Sequence, residues 1–531
     1  MKGPFVTDGS DPGQDPPALR RFHQARWDEK LIFELSRKGQ RGILVPLPEP
    51  EMVAAMGGGG DELVPEPLRR QDPPELPEMA QVHVLRHYLR LSQETLGVDL
   101  NIDVGQGTCT LKYSPKVNDR LSRSPKLADL HPLQDPSTFQ GTLEILWNLE
   151  RMVAEITGMD AVTLQPGGGS AAIYANASML RAYLVDRREW PARNEVVTTI
   201  FSHPSNAACA QTAGFKVVTL FPDESGVPTL DALRAAVSDR TAALFVTGPE
   251  DTGIYNPDLA RFVDVVHEAG GLCVYDQANA NGVIGVVRAR DAGFDMCQLN
   301  LHKTFSTPHS CGGPVAGVCA VTDELAPFLP RPVVRRDGSR YYLDYDLPKS
   351  IGKVRPFYGV VGHLVRAYAW IMALGADGLR QVAETAVLNN NYLMKRISEI
   401  PGCTVPFSAR PRIEQVRYSW ADLYETTGVH SEDLGRRAAD FGVHYWTSHH
   451  PFVVPEPCTL EPTEAYSKED LDEYAEIIRY VATEATEQPE VVKDAPHRSC
   501  VHKVVEVGSL EDIDHAEVSW RARKRLQGGV G

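Results

Sequence analysis

The chain has 531 residues, of which 42% are hydrophobic and 23% charged, and its net charge is −16. This length exceeds what one hydrophobic core supports, so we expect two or three domains. The acidic balance argues against nucleic acid or an anionic membrane surface as a partner. No apolar run approaches the ~18 residues that a membrane-spanning helix needs, so we expect no membrane partner.

Two features of the sequence bear on the cellular compartment. The N-terminal residues have no apolar stretch of the kind that a signal peptide carries. The nine cysteines are scattered and form no Cys-x-x-Cys pair, which is typical of reduced thiols. Together these features predict a cytoplasmic protein.

Composition and periodicity divide the chain into four predicted segments. Residues 1–95 are expected to form an extended N-terminal arm, because they are rich in proline and glycine and a helical pattern begins only at Val82. We expect residues 96–370 to form a large domain, 371–485 a smaller C-terminal domain, and 486–531 a polar tail.

A glycine-rich turn precedes an alanine-rich helical pattern early in the large domain. The apolar run from Val162 leads into Gly167, Gly168 and Gly169, and Ser170 begins the helical pattern. Glycines let the main chain approach an anion, and a helix N-terminus offers N–H groups and a positive dipole to a phosphate. An ordinary tight turn has the same pattern, so both interpretations are open at this point.

Strand and helix patterns then alternate between residues 195 and 303. The predicted strands are Val196–Ile200, Val217–Phe221, Ala242–Thr247, Leu272–Asp276 and Met296–Leu301. Apolar strands that alternate with helices indicate a largely parallel sheet covered on both faces. Ligands of such sheets bind outside the carboxyl ends of the strands, which is where Asp276, Lys303, His203 and the glycine turn are expected.

Lys303 and Asp276 are the residue pair with the most specific chemistry. A lysine can form a Schiff base with pyridoxal 5′-phosphate (PLP), and a strand-end carboxylate can keep the pyridine nitrogen of that cofactor protonated. Taken alone, the pair also fits an exposed loop lysine and an unrelated aspartate. The glycine turn and His203 at the same predicted edge favour the PLP interpretation.

Six stretches of the chain carry a resemblance to a known family. They are Leu31–Ser36, Gly107–Lys116, Glu155–Val162, Leu299–His309, Leu343–Arg355 and Leu460–Glu464. Over roughly residues 25 to 485 the chain resembles the P-protein of the glycine cleavage system, a PLP-dependent glycine decarboxylase, and above all the second subunit of the two-subunit bacterial form. The resemblance implies an α/β protein of PLP-dependent transferase fold type I, with a large, mostly parallel-sheet domain, a smaller C-terminal α+β domain, and sites at a subunit interface.

The resemblance also implies roles for individual residues. By position, Lys303 matches the lysine that bonds to the cofactor and Asp276 matches the partner of the pyridine nitrogen, while His203 and His302 join Lys303 as candidate catalytic residues. The candidate cofactor-binding residues are Lys303, Asp276, Asn279, Gly168, Gly169, Ser170, His203, Thr304 and Cys109, with Thr108 in the same loop as Cys109. No metal site is expected.

The chain departs from the family pattern at three places, and the first two of these fall at the candidate site. The family has His-Gly-Glu after the phosphate-side glycines, with the imidazole stacked on the cofactor, where this chain has Ala171–Ile173. The family's glycine run after His309 is replaced by Ser310–Val315, and its Met-His-Glu-Phe motif by Arg412–Gln415. Loss of the imidazole removes a π contact and a proton-transfer group and opens space above the ring. The departures indicate a retained cofactor and a changed substrate or reaction.

Three functions follow from the resemblance and the departures. The departures favour an enzyme that forms an external aldimine and a quinonoid carbanion on an amino acid larger than glycine, for elimination or carbon–carbon bond formation in specialised metabolism. The alternative is glycine decarboxylation with transfer of the aminomethyl group to a lipoyl carrier protein. A third possibility is a non-catalytic partner subunit, which the presence of Lys303 and Asp276 disfavours. We expect a homodimer or a pair with a first-subunit-like chain.

Overall fold

The computed structural model describes residues 19, 24–57, 63–72, 74, 76–105, 109–110, 112–309, 316–407, 411–447 and 453–500. The predictions for Thr108 and Ser310–Val315 lie outside these residues. Contacts divide the chain into two units, one containing Gly97–Ala495 and the other Phe22–Leu96 together with the residues from Pro496 onward.

The unit that contains Phe22–Leu96 is mostly irregular in its described part. It has helices α1 (Ile32–Leu35), α2 (Pro50–Met56) and α3 (Gln81–Gln93) and a 3₁₀ turn, Glu66–Leu68. The third helix confirms the helical pattern predicted from Val82. Glu29 contacts α3 through both of its carboxylate oxygens: His87 Nδ1 lies 2.9 Å from one and Arg90 Nη1 lies 3.0 Å from the other. These contacts hold the irregular segment around Glu29 against the helix.

A seven-stranded sheet forms the centre of the other unit. Its strands are β1 (Ala161–Thr163), β2 (Glu195–Thr199), β3 (Lys216–Leu220), β4 (Thr241–Thr247), β5 (Leu272–Gln277), β6 (Met296–Asn300) and β7 (Gly317–Val321). They lie in the order β1-β7-β6-β5-β4-β2-β3. The pairs from β3 through β6 are parallel, and β7 runs antiparallel to both of its neighbours. The predicted, largely parallel sheet is therefore confirmed.

Helices cover both faces of this sheet. They are α6 (Gln140–Thr157), α7 (Gly169–Asp186), α8 (Pro204–Thr212), α9 (Leu230–Ala236) and α10 (Leu259–Glu268). The same unit also has the short helices α4 (Lys116–Ser122) and α5 (Pro125–Ala128) and 3₁₀ turns at Pro136–Thr138 and Ala326–Phe328. Successive strand residues point to opposite faces, so Leu244 packs in the core under α6, α9 and α10, while Phe245 packs in the core under α7 and α8.

The C-terminal part of this unit has its own hydrophobic core. Before it, the hairpin β8 (Val333–Asp337) and β9 (Arg340–Asp344) and the first part of α11 (Val361–Ser398) pack in the core of the large sheet. The C-terminal core contains the second part of α11 with β10 (Val416–Ser419), α12 (Ala421–Thr427), α13 (Ser431–Ala439), β11 (Pro457–Leu460), α14 (Lys468–Glu487) and α15 (Pro489–Lys493). The long helix α11 contains Gly375 at φ 65° and ψ −175°, where two helices join. Leu393 and Ile397, beyond this junction, pack with α12, α13 and α14 around the antiparallel pair β10–β11.

The boundaries of the four sequence segments stay predictions. Helix α14 continues past residue 485, and Val492 of α15 is fully buried, so the first residues of the predicted tail pack on the C-terminal core. Within the described ranges, no helix has both the length and the apolar character needed to cross a membrane. The eight cysteines that the structure describes are free thiols.

Candidate active site

Asp276 and Lys303 lie at the carboxyl ends of two adjacent parallel strands. β5 and β6 pair with Asp276 opposite Gln298, and Lys303 lies in the turn that follows β6. Asp276 is 1% exposed and Lys303 is 5% exposed. Because lysine and aspartate are rarely buried without a partner or a task, this placement excludes the exposed-loop interpretation of the pair.

Hydrogen bonds from three residues orient the carboxylate of Asp276. Its Oδ1 accepts from the main-chain N–H of Ala278 at 3.0 Å and from the side-chain amide of Gln298. Its Oδ2 accepts from Thr247 Oγ1 at 3.3 Å. Charge-assisted bonds of this kind hold a carboxylate in one orientation, as a partner for a cationic pyridine nitrogen requires.

His203 lies beside Asp276 and forms the N-cap of α8. Its Nδ1 accepts from the main-chain N–H of Ser205 at 3.1 Å, which assigns the ring proton of a neutral imidazole to Nε2. The hydroxyl of Thr247 accepts from the His203 main-chain N–H at 3.4 Å and from Asn206 Nδ2 at 3.3 Å. Thr247 therefore joins His203 to Asp276 across the ends of β2, β4 and β5.

His302 is buried next to Lys303 and is held as a neutral imidazole. Burial, followed by the nearby charge of Lys303, lowers the pKa of His302 to about 3. Its Nδ1 donates to the carbonyl oxygen of Ala316 at 3.1 Å, which leaves Nε2 as an acceptor. The ring of His309 meets it edge-on, with 5.1 Å between the ring centroids.

The glycine turn before α7 is approached closely by two polar side chains. Gly168 is the N-cap at φ +135°, a conformation that favours glycine. A Cβ at Gly169 would lie 2.7 Å from Asn300 Nδ2, and a Cβ at Gly167 would lie 1.7 Å from Arg355 Nη1. Ser170 is exposed in the first turn of this 18-residue helix. The turn therefore combines bare main chain, a helix N-terminus and a guanidinium group, all of which suit an anion.

Three further candidate residues lie on the side of the site that faces the C-terminal core: Asn279, Thr304 and Cys109. Asn279 Nδ2 donates to Glu461 Oε1 at 2.7 Å. Thr304 Oγ1 accepts from the main-chain N–H of Ala280 at 3.0 Å, and its carbonyl oxygen accepts from Lys112 Nζ at 2.8 Å. Cys109 is half-buried, and the next residue, Thr110, donates to Glu461 Oε1 at 2.6 Å.

The departures from the family pattern fall in two kinds of environment. Ala172 and Ile173 are fully buried in the core beneath α7, whereas Ala171 is half-buried in its first turn. Arg412 and Gln415 are buried, and Gln415 Nε2 donates to a main-chain carbonyl at 3.1 Å. Of the changes described, only the one at Ala171 lies beside the glycine turn.

Several residues of the site were not singled out from the sequence. Lys112, Arg355 and Glu461 fall inside stretches that carry the family resemblance, so their position in those stretches was an available signal. Thr247 ends a predicted strand, and a polar residue at the carboxyl end of a parallel strand is a signal of the same kind as Asp276. Asn300 precedes Lys303 by three residues.

The residues present fit PLP. Three side-chain oxygens at this sheet edge are buried and, among the described residues, have no hydrogen-bond partner: Asn206 Oδ1, Gln298 Oε1 and Asn300 Oδ1. Buried polar atoms are nearly always paired, so three such atoms at one edge indicate space for a polar ligand. Lys303, Asp276 and the glycine turn bring an amine, a carboxylate and the N-terminus of α7 to the same edge.

Comparisons with known proteins agree with this geometry. A family model described as "Glycine cleavage system P-protein" matches residues 55–336, and one described as "Glycine dehydrogenase, C-terminal domain" matches residues 382–501. A "Probable glycine dehydrogenase (decarboxylating) subunit 2" from Pyrococcus abyssi is 44% identical over 95% of this chain and 98% of its own length. The protein of the same name from Halalkalibacterium halodurans is 42% identical over 90% of this chain and 96% of its own length.

Solved structures give the same fold. A crystal structure of glycine decarboxylase (P-protein) of the glycine cleavage system, in inhibitor-bound form, matches with a TM-score of 0.68 and 21% identity, over 83% of this chain and all of that chain. A cysteine desulfurase from Escherichia coli matches with a TM-score of 0.55 and 16% identity, over 72% of this chain and 95% of that chain. The chain therefore belongs to the glycine cleavage system P-protein family, as a PLP-dependent enzyme of fold type I.

Proposed function

We propose that the chain decarboxylates glycine as the lysine-bearing subunit of a glycine-cleaving enzyme. The observation that carries the proposal is the burial of Lys303 and Asp276 at the ends of adjacent strands, in a chain 44% identical to a protein named as a glycine dehydrogenase (decarboxylating) subunit. The names of the relatives support glycine decarboxylation better than they support a reaction on a larger amino acid, which the departures from the family pattern favoured.

Three features of the chain would hold the cofactor. Lys303 would bond to it, Asp276 would pair with its pyridine nitrogen, and the glycine turn, with Gly168 and Gly169 at its centre, would receive its phosphate. When bound, PLP supplies an electron sink for the negative charge that develops at the substrate α-carbon as carbon dioxide leaves.

The surrounding residues would exclude water and set protonation states. Asp276, His302, Lys303 and Thr304 are all buried, so their charges and dipoles act in a medium where electrostatic interactions are stronger than in water. His302 is neutral at physiological pH because its pKa is lowered to about 3, so it would offer Nε2 as an acceptor beside the lysine.

Two partners are part of the proposal. The relatives are named as a second subunit, which supports a first-subunit-like chain as a partner, with a homodimer as the alternative. In glycine cleavage, a lipoyl carrier protein would receive the aminomethyl group. A nucleic-acid partner stays disfavoured by the net charge of −16.

One observation favours a second candidate function, the transformation of a larger amino acid. Ala171 lies in the first turn of α7, where the family pattern has a cofactor-stacking imidazole. A methyl group in this position leaves more room above the cofactor than an imidazole does. The neighbouring changes at Ala172 and Ile173 do not add to this room, because both side chains are buried in the core.

Exchange of label between bicarbonate and the glycine carboxyl group tests the proposed function. The purified chain is loaded with PLP and assayed with a lipoyl carrier protein, with and without a first-subunit-like chain. We expect exchange with glycine that disappears in Lys303→Ala. Absence of exchange from the wild-type protein, together with a change in cofactor absorbance when serine or another larger amino acid is added, would favour the second candidate.

A further inference from the structure

A histidine, a cysteine and an aspartate meet at the edge of the sheet opposite the candidate active site. His267 is in the last turn of α10, Cys273 lies at the start of β5, and Asp295 directly precedes β6. A ring nitrogen of His267, the Sγ of Cys273 and a carboxylate oxygen of Asp295 all lie within 4.8 Å of one another. The function proposed above gives these three side chains no task.

Asp295 Oδ2 joins the other two residues of this cluster. It accepts a hydrogen bond from His267 Nε2 at 2.8 Å and another from the main-chain N–H of Cys273 at 2.7 Å. The main-chain N–H of Asp295 in turn donates to the carbonyl oxygen of Cys273 at 3.0 Å. The carboxylate is therefore held in one orientation by the main chain, in the way that an outer-shell hydrogen bond orients a ligand of a metal ion.

The thiol of Cys273 is buried but donates only weakly. Cys273 is fully buried, and its Sγ lies 4.0 Å from the carbonyl oxygen of Val263. The thiols of Cys209 and Cys319, by comparison, donate to carbonyl oxygens at 3.3 Å. Because a long contact of this kind contributes little, Cys273 loses little stabilisation when a metal ion replaces the thiol proton.

The cluster is open to solvent on the side of His267. Cys273 is buried, Asp295 is partly buried and His267 is exposed. Asp264 is exposed three residues before His267 on α10, and its negative charge acts on both His267 and Cys273. Arg290 is a nearby positive charge that acts on His267. An ion can therefore enter from the surface, past an aspartate that adds negative charge there.

The chemistry of the three ligand atoms selects zinc. A thiol sulfur, an imidazole nitrogen and a carboxylate oxygen are the atoms that Zn²⁺ binds in proteins, whereas Ca²⁺ and Mg²⁺ prefer oxygen alone. Zinc bonds to these atoms at about 2.0–2.3 Å, which separates the ligand atoms of a tetrahedron by roughly 3.3–3.8 Å. The 2.8 Å between His267 and Asp295 has to lengthen slightly, and the sulfur has to approach by a small rotation of its side chain.

We propose that His267, Cys273 and Asp295 bind one Zn²⁺ ion, with a water molecule as the fourth ligand. On binding, the Cys273 thiol loses its proton to solvent and bonds to the ion as a thiolate. His267 gives up the proton on Nε2, so that the lone pair of this nitrogen faces the ion, and Asp295 binds as a carboxylate. No group is oxidised or reduced in this step.

The ion would connect α10 to the two strands that carry the candidate active site. Asp276 lies near the carboxyl end of β5 and Lys303 follows β6, whereas Cys273 and Asp295 lie at the amino ends of the same strands. The ion would therefore hold the two strands and the helix together without contact with the cofactor site. Because the unfolded chain offers no preformed site, zinc binding stabilises the folded protein.

Zinc binding by the full-length, PLP-loaded protein tests the proposal. The protein is treated with a chelator, dialysed and titrated with Zn²⁺ in competition with a zinc indicator. We expect one bound ion per chain and a higher Tm with zinc than without it. X-ray absorption at the zinc edge should show one sulfur neighbour at about 2.3 Å, with nitrogen or oxygen neighbours at about 2.0–2.2 Å. Lys303→Ala should bind the same single ion, which separates this site from the cofactor and from the proposed function.

Three variants assign the ion to these side chains. Cys273→Ser and His267→Ala each remove a ligand, so zinc affinity should fall by more than the roughly tenfold to hundredfold that loss of an outer-shell partner costs, and the increase in Tm should disappear. His267 is exposed, so His267→Ala serves if Cys273→Ser does not fold. Cys319→Ser changes an equally buried thiol of the same sheet, which bonds to Ala172, and should keep the wild-type affinity.

Three results would overturn the zinc site. The first is a wild-type protein that binds no zinc, in which case the cluster is an ion pair between His267 and Asp295. The second is bound zinc without a sulfur neighbour. The third is equal zinc affinity in His267→Ala, Cys273→Ser and Cys319→Ser, which would identify an adventitious ion only.

Discussion

Thr247 Oγ1 lies 3.3 Å from Asp276 Oδ2 and donates a hydrogen bond to it. The same hydroxyl accepts from the main-chain N–H of His203 and from Asn206 Nδ2. One threonine at the end of β4 therefore connects the helix that follows β2 to the carboxyl end of β5. This relationship makes the orientation of Asp276 depend on a residue that is not itself charged.

Thr247→Val removes this connection with little change in shape. We expect the variant to lose about 1 kcal/mol of unfolding free energy, because the amide of Asn206 and one oxygen of Asp276 lose a partner. The affinity for PLP should fall several-fold. Chemical denaturation of the PLP-free protein and titration with PLP measure the two effects. Wild-type PLP affinity in Thr247→Val would show that Asp276 is oriented without it.

Asp276→Asn keeps the size of the side chain and removes its charge. A hydrogen bond to a charged group contributes roughly 1.5–3 kcal/mol, so we expect PLP affinity to fall about tenfold to a hundredfold. Asp295→Asn is the matched control: Asp295 lies just before β6, at the opposite end of the strand, and bonds to His267. Equal PLP affinities for the two variants would contradict the role of Asp276.

Gly169→Ala tests the phosphate cradle. The new Cβ would lie 2.7 Å from Asn300 Nδ2 and would push this side chain towards the space assigned to the cofactor. We expect weaker PLP binding with a nearly unchanged melting temperature of the PLP-free protein. Gly141→Ala, in α6, has nothing within 4 Å of the new Cβ and should stabilise the protein by up to about 1 kcal/mol. Unchanged PLP binding in Gly169→Ala would place the phosphate elsewhere.

Glu250 predicts a specific dependence of stability on pH. Burial raises the pKa of Glu250 to about 8, above its usual 4.5. Between these two values the folded protein keeps the proton that the unfolded chain has lost, so the stability contributed by this group is present below pH 4.5 and is lost as the pH rises to 8. Glu250→Gln should therefore raise Tm at pH 8 relative to the wild-type protein, with a smaller effect at pH 5. An equal shift at both pH values would show that Glu250 is ionised in the folded protein.

The sheet and its functional edge were predictable because the strands are short apolar runs that end in polar residues. Asp276 and Lys303 follow two such runs, and parallel strands bring their carboxyl ends to one edge.

The C-terminal side of the site could not be predicted in the same way. Glu461 is an acidic residue more than 100 positions after Lys303, and nothing in its local sequence indicates that it is buried. Only the packing of the C-terminal core against the turn at Asn279 brings it to the site. The expected larger substrate rested on Ala171 and on the altered loop Ser310–Val315. Ala171 lies in the first turn of α7, and the loop lies outside the described residues, while the relatives support glycine decarboxylation better.

The central claim is that Lys303 is the residue that bonds to PLP. Borohydride reduction of the PLP-loaded protein, followed by proteolysis and mass spectrometry of the peptides, tests it most directly. The prediction is one phosphopyridoxyl group on the peptide that contains Lys303, and none in Lys303→Ala. Labelling of Lys112, which is also buried, or the absence of any labelled peptide from the wild-type protein would contradict the account.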